Sequence, residues 1–86
     1  MYNIIERYMA KLTIEDINNF AISKNANLSE DELKFTYDFL KKNWKEIIKN
    51  PNIFNIDRYK DKYSKENFIK IKQLYLDYFN KFAAFL

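Results

Sequence analysis

Cysteine, histidine and glycine are all missing from these 86 residues, and proline occurs once. Without cysteine there is no disulfide, no thiolate nucleophile and no zinc or iron–sulfur site built on sulfur. Without histidine the commonest general base and transition-metal ligand are gone. Without glycine neither the P-loop nor the dinucleotide-binding fingerprint can form. The same absence tells against an all-β chain, whose tight turns draw on glycine. No apolar run approaches the roughly 18 residues of a membrane span. Glu6 and Arg7 interrupt the N-terminal apolar stretch, which therefore does not read as a signal peptide. These absences lead us to expect a cytoplasmic chain with no membrane segment, no catalytic residues, no metal and no cofactor.

What is present is greasy and charged at once. Hydrophobic residues make up 48% and charged residues 31%, a globular balance rather than a disordered one. The net charge of +3 hides an asymmetry. Residues 1–33 hold six acidic against three basic side chains, and residues 34–86 hold twelve basic against six acidic. A basic half can meet phosphate or an acidic partner, but it is also what an ordinary solvated surface looks like in a lysine-rich chain. Lysine outnumbers arginine 13 to 2 and asparagine occurs 11 times, the composition of an AT-rich genome.

Helix starts are marked three times in one style. At Ser29-Glu30-Asp31-Glu32 the serine oxygen can accept the third amide while Glu32 reaches back to the serine amide, a capping box. Leu28 and Leu33 flank it as a hydrophobic staple. Thr13 to Asp16 repeats the box with a shorter acid, between Leu12 and Ile17. Ser64 opens a third helix between Tyr63 and Phe68. These signals predict helices over about 2–11, 14–24, 30–49 and 65–83, with a short one over 56–62 capped by Asn55. Asn25-Ala26-Asn27 reads as a turn in which asparagine takes the left-handed conformation glycine would normally supply. Asn50-Pro51 ends the third helix, and 51–55 is a connector. The expected fold is all-α, a single domain of four helices plus a short fifth.

Apolar surface exceeds one face on two helices. On the third, Leu33, Tyr37, Leu40, Trp44, Ile47 and Ile48 cluster within about 100°, while Phe35 and Phe39 fall on the opposite side. On the last, Phe68, Ile71, Tyr75, Phe79, Phe82 and Leu86 form a stripe, flanked by Ile69, Leu76 and Ala83 on one side and Leu74, Tyr78 and Phe85 on the other. A helix this apolar must be wrapped by its neighbours. Two outcomes stay open: the shorter helices cover it entirely, or Leu74, Tyr78 and Phe85 are left as a subunit or partner interface.

Chemistry is harder to find. Glu30, Asp31 and Glu32 are consecutive on a helix, point about 100° apart and do not converge on an ion; capping accounts for them. Ser23, Ser29 and Ser64 have no histidine to activate them. The second and third helices have the outline of a helix-turn-helix, but the reading helix would meet phosphate with three acids. The better nucleic-acid candidate is Lys41, Lys42, Lys45, Lys49, Arg58, Lys60 and Lys62, interleaved with Trp44, Tyr59 and Tyr63. Lysines neutralise phosphate and aromatics stack on bases. Against it, Asp38 interrupts the row of Lys41, Lys45 and Lys49, and Trp44 lies on the core stripe.

The run Lys11-Leu12-Thr13-x-Glu15-Asp16-Ile17, the pair Phe20-Ala21, the helix opening at Leu28-Ser29, the connector Asn52-Ile53-Phe54-Asn55 and the terminal Phe79 and Phe82 carry a resemblance. In this order they resemble a family of short bacterial proteins from low-GC Gram-positive bacteria, a domain of unknown function of YqfT type. That resemblance implies a small all-helical cytoplasmic protein, without an assigned activity or site residues. Together the readings favour a non-enzymatic protein-interaction or structural module, joined to a second copy or another protein through its aromatic last helix. A nucleic-acid accessory using the basic face is the alternative.

Overall fold

The computed structural model describes residues 2–49 and 55–83, and all its regular elements are helical. They are α1 (Tyr2–Lys11), α2 (Ile14–Ser23), α3 (Glu30–Lys49), a 3-10 helix η1 (Ile56–Lys62) and α4 (Lys65–Ala83). The predicted boundaries hold to within a residue. The Asn50-Pro51 stop, most of the connector, and Phe85 and Leu86 lie outside the described residues.

Each expected cap is present. At α2, Thr13 Oγ1 accepts from the Asp16 amide at 3.1 Å, and the Thr13 amide donates to the Asp16 carboxylate at 3.0 Å. At α3, the Glu32 amide donates to Ser29 Oγ at 3.2 Å and the Ser29 amide donates to Glu32 Oε1 at 2.8 Å. Asn55 Oδ1 accepts from the Asp57 amide to start η1, and Ser64 Oγ from the Asn67 amide to start α4. The end of α2 shows how a chain without glycine turns. Asn25 sits at φ 61°. Its amide donates to Ile22 O and the Ala26 amide donates to Ala21 O, both at 2.9 Å. This is a Schellman ending with asparagine in the left-handed position, and the buried Ala21 and Ala26 close its apolar contact.

Side-chain contacts set the helix directions. Glu32 and Phe39 of α3 meet Asn67 and Tyr75 of α4 in the same order, so those two helices run parallel. Phe20 meets Tyr78 and Lys24 meets Asp77, while Asn25 lies beside Lys70, so α2 runs against α4. The core threads between them through Ile5, Met9, Leu12, Ile17, Ala21, Leu40, Trp44, Ile71, Leu74, Tyr75, Tyr78 and Phe82. Rings carry much of it. Tyr8 meets Phe82 edge-on at 5.5 Å, and Phe20 stacks on Tyr78 at 4.8 Å. Full burial of one such side chain is worth about 1.5–3 kcal/mol.

α3 is covered on two sides. Its Leu40–Trp44–Ile47 stripe is buried, and its other side is roofed by η1 and α4. There Phe35 lies 5.8 Å from both Tyr59 and Tyr63, and Phe39 lies 4.7 Å from Tyr59 and 5.9 Å from Tyr75. Phe35 and Phe39 are therefore half-buried under the 3-10 helix.

Candidate functional site

The polar feature that the fold builds most deliberately lies where the N-termini of α3 and α4 converge. Glu32 is 7% exposed and Thr36, one turn on, is fully buried. Glu32 Oε1 accepts from the Ser29 amide at 2.8 Å and from Asn67 Nδ2 at 2.9 Å. Its Oε2 accepts from the Ser64 amide at 2.8 Å. One carboxylate thus completes the capping box of α3 and holds the first residue before α4. Asn67 extends the link by donating to Asn27 O as well. Beneath it Thr36 Oγ1 donates to Glu32 O and shares a 2.6 Å hydrogen bond with the Tyr63 hydroxyl. Outside, an open depression of about 550 Å³ is lined by Asp31, Glu32, Asp61, Lys62, Ser64 and Asn67 among others.

The electrostatics suit a fastening. Burial pushes the Glu32 carboxyl up, but the Ser29 and Ser64 amides and the Asn67 and Ser29 side chains together hold it below the ordinary carboxylate value. An acid so held is a weak base, and three N–H donors occupy its oxygens. Burial raises the phenols of Tyr63, Tyr75 and Tyr78. They stay neutral near pH 7. Among the described residues no group of three or more acidic, histidine or cysteine side chains is placed to hold a metal ion.

The expected interface residues are elsewhere than anticipated. Leu74 and Tyr78 are each 1% exposed and belong to this chain's own core, which corrects the reading of them as a free surface. The reason is rotational: α2 and α1 pack on the Leu74–Tyr78 side, so the buried arc of α4 is turned toward it. Phe85 lies outside the described residues. The opposite flank is the one left open, with Ile69 73% and Leu76 54% exposed.

The basic set is divided. Lys41 turns inward and donates to Met9 O and, at 3.3 Å, to Ala10 O at the end of α1. Lys42, Lys45, Lys49, Arg58, Lys60 and Lys62 are exposed. Lys45 lies over the Trp44 ring and Lys62 over the Phe35 ring. The aromatics that should have interleaved with them are mostly core: Trp44 and Tyr63 are buried, and Tyr59 is packed against Phe35 and Phe39. Glu32 was legible only as a cap acid; its second partner, 32 positions away, has no local signal.

No family model, no curated protein and no solved structure matches this chain. Among the described residues no helix is long and apolar enough to cross a membrane.

Proposed function

We propose that this chain is a non-enzymatic interaction or structural module that pairs with a second copy of itself through the outer stripe of α4, acting in the cytoplasm. The observation that carries the reading is the exposure of Ile69 and Leu76, seven residues apart on one helix face. Laid antiparallel on its twin, α4 sets each Ile69 against the other copy's Leu76. The same register puts the two-fold axis between residues 72 and 73, so the two Lys72 side chains lie near each other across it. Lys72 is already matched by Asp57 at 3.1 Å.

Four aliphatic side chains contribute at most about 1.5–3 kcal/mol each, against an association cost of about 4–15 kcal/mol, so the dimer is weak. Sedimentation velocity over a hundredfold concentration range tests this. We expect the average mass to rise with concentration, and an Ile69→Lys, Leu76→Lys variant to stay monomeric with unchanged helicity. A chain that is monomeric throughout removes the self-pairing reading. The nucleic-acid alternative has exposed lysines in its favour, but Trp44 and Tyr63, two of the aromatics that would interleave with them, are buried.

A further inference from the structure

We propose that Glu32 is an acid-sensitive latch that fastens η1 and α4 to the α2–α3 half of the molecule and releases that end when it is protonated. Three donors from separate positions converge on its two oxygens: the Ser29 amide ahead of α3, the Ser64 amide ahead of α4, and the Asn67 side chain within α4. Two of the three belong to the far side of the chain. As a carboxylate, Glu32 accepts charge-assisted bonds; with a proton it becomes a weaker neutral acceptor, and its own O–H must find a place among three N–H groups. The groups facing it are few. Asp31 comes from its own helix, and Asp61, Lys62 and the Tyr63 phenol from the η1 side, while Ser64 ahead of α4 and Asn67 within it line the same depression. Two acids near one lysine do little to keep a proton away from the carboxylate, so the hydrogen bonds themselves hold the latch shut.

The direction follows from linkage. Glu32's carboxyl is held below the ordinary carboxylate value in the folded chain by the hydrogen bonds from Ser29, Ser64 and Asn67. The stability it supplies is complete above the unfolded value and is lost as pH falls through the lower, folded one. Asp77 is also lowered, by its bonds to Lys24 and Gln73, and titrates in the same acid range at a different place. The Glu32 share is therefore read as a difference between variants.

Two measurements test the latch. In urea unfolding between pH 7 and pH 2.5, the midpoint difference between the parent chain and Glu32→Gln should be large at neutral pH and close as pH falls through the acid range. Amide hydrogen exchange, corrected for intrinsic pH dependence, should show the Ser29 and Ser64 amides opening together in acid. Their exchange should quicken about tenfold, the ratio expected when charged hydrogen bonds become neutral ones. The Ala26 amide, bonded to the Ala21 carbonyl and to no carboxylate, serves as the reference. A midpoint difference that is constant across pH, or a Ser64 amide that acid does not loosen, overturns the proposal. Should Glu32→Gln fail to fold, Asn67→Ala keeps the acid and removes one donor. It must then move the Glu32 carboxyl-carbon titration to higher pH, and an unmoved titration overturns the proposal equally.

Discussion

At the scale of single residues, Thr36 and Tyr63 form the buried polar contact most exposed to a simple test. Thr36 has no accessible surface, and its hydroxyl both donates to Glu32 O and bonds the Tyr63 hydroxyl at 2.6 Å. Thr36→Val keeps the shape and removes the oxygen. It deprives Tyr63 of that partner in a site where burial already opposes ionisation. The expected loss is about 1–2 kcal/mol in chemical denaturation, from one buried hydrogen bond and a phenol left short of a partner. Tyr63→Phe removes the same bond from the other end. If the two changes report on one contact, the double variant costs much less than their sum. Full additivity would show that the pair is not coupled.

Elements were legible where their determinants are local. A capping box spans four residues, so Thr13 to Asp16, Ser29 to Glu32 and Ser64 announced three helix starts before any tertiary contact was known. An asparagine of the 25–27 turn could be given the left-handed position for the same reason, and the structure places it at Asn25. Only a few residue types tolerate it, and glycine does not occur. What could not be read is which side of α4 faces inward. Apolar side chains flank its stripe on both sides, so the choice between the flanks rests with α1 and α2, whose packing buries Leu74 and Tyr78 and leaves Ile69 and Leu76 outside. Likewise no local pattern connects Glu32 with Ser64. The turn after α2 yields a prediction at this scale. Asn25→Ala should cost about 1 kcal/mol, because alanine suffers the left-handed penalty without asparagine's local hydrogen bonding. Asn25→Gly should leave stability within about 1 kcal/mol of the parent. Thermal unfolding of both variants checks the pair; an alanine variant as stable as the glycine one would mean that the turn relaxes out of the Schellman geometry.

For the whole molecule, the question is what thirteen lysines are for. Several act as fasteners in a chain with little else to hold its ends. Lys41 satisfies carbonyls at the end of α1, Lys70 binds Asn25 O beyond α2, and Lys24 pairs with Asp77 across α2 and α4. Lys72 ties α4 to η1 through Asp57, and Lys81 lies 4.5 Å over the Tyr8 ring. Within the exposed remainder, Lys42, Lys45 and Lys49 on α3 and Lys60 and Lys62 on η1, together with Arg58, are interspersed with the exposed acids Asp38, Glu46, Asp57 and Asp61. A surface so mixed concentrates little positive potential. The interaction-module reading therefore predicts negligible affinity for single-stranded RNA or DNA even at low salt. The salt slope provides the measurement, since each phosphate neutralised on a single strand lowers log K by about 0.7 per decade of salt. Binding with a slope of three or more would require at least four phosphate contacts and would return the basic face to the foreground. The variant to compare is then Lys42→Glu, Lys45→Glu, Lys49→Glu, with Lys41 left alone. Replacing Lys41 would loosen α1 and confuse a lost surface with a lost fold. If the triple variant kept its helicity and lost the binding, phosphate rather than a second α4 would be the partner this molecule is built to meet.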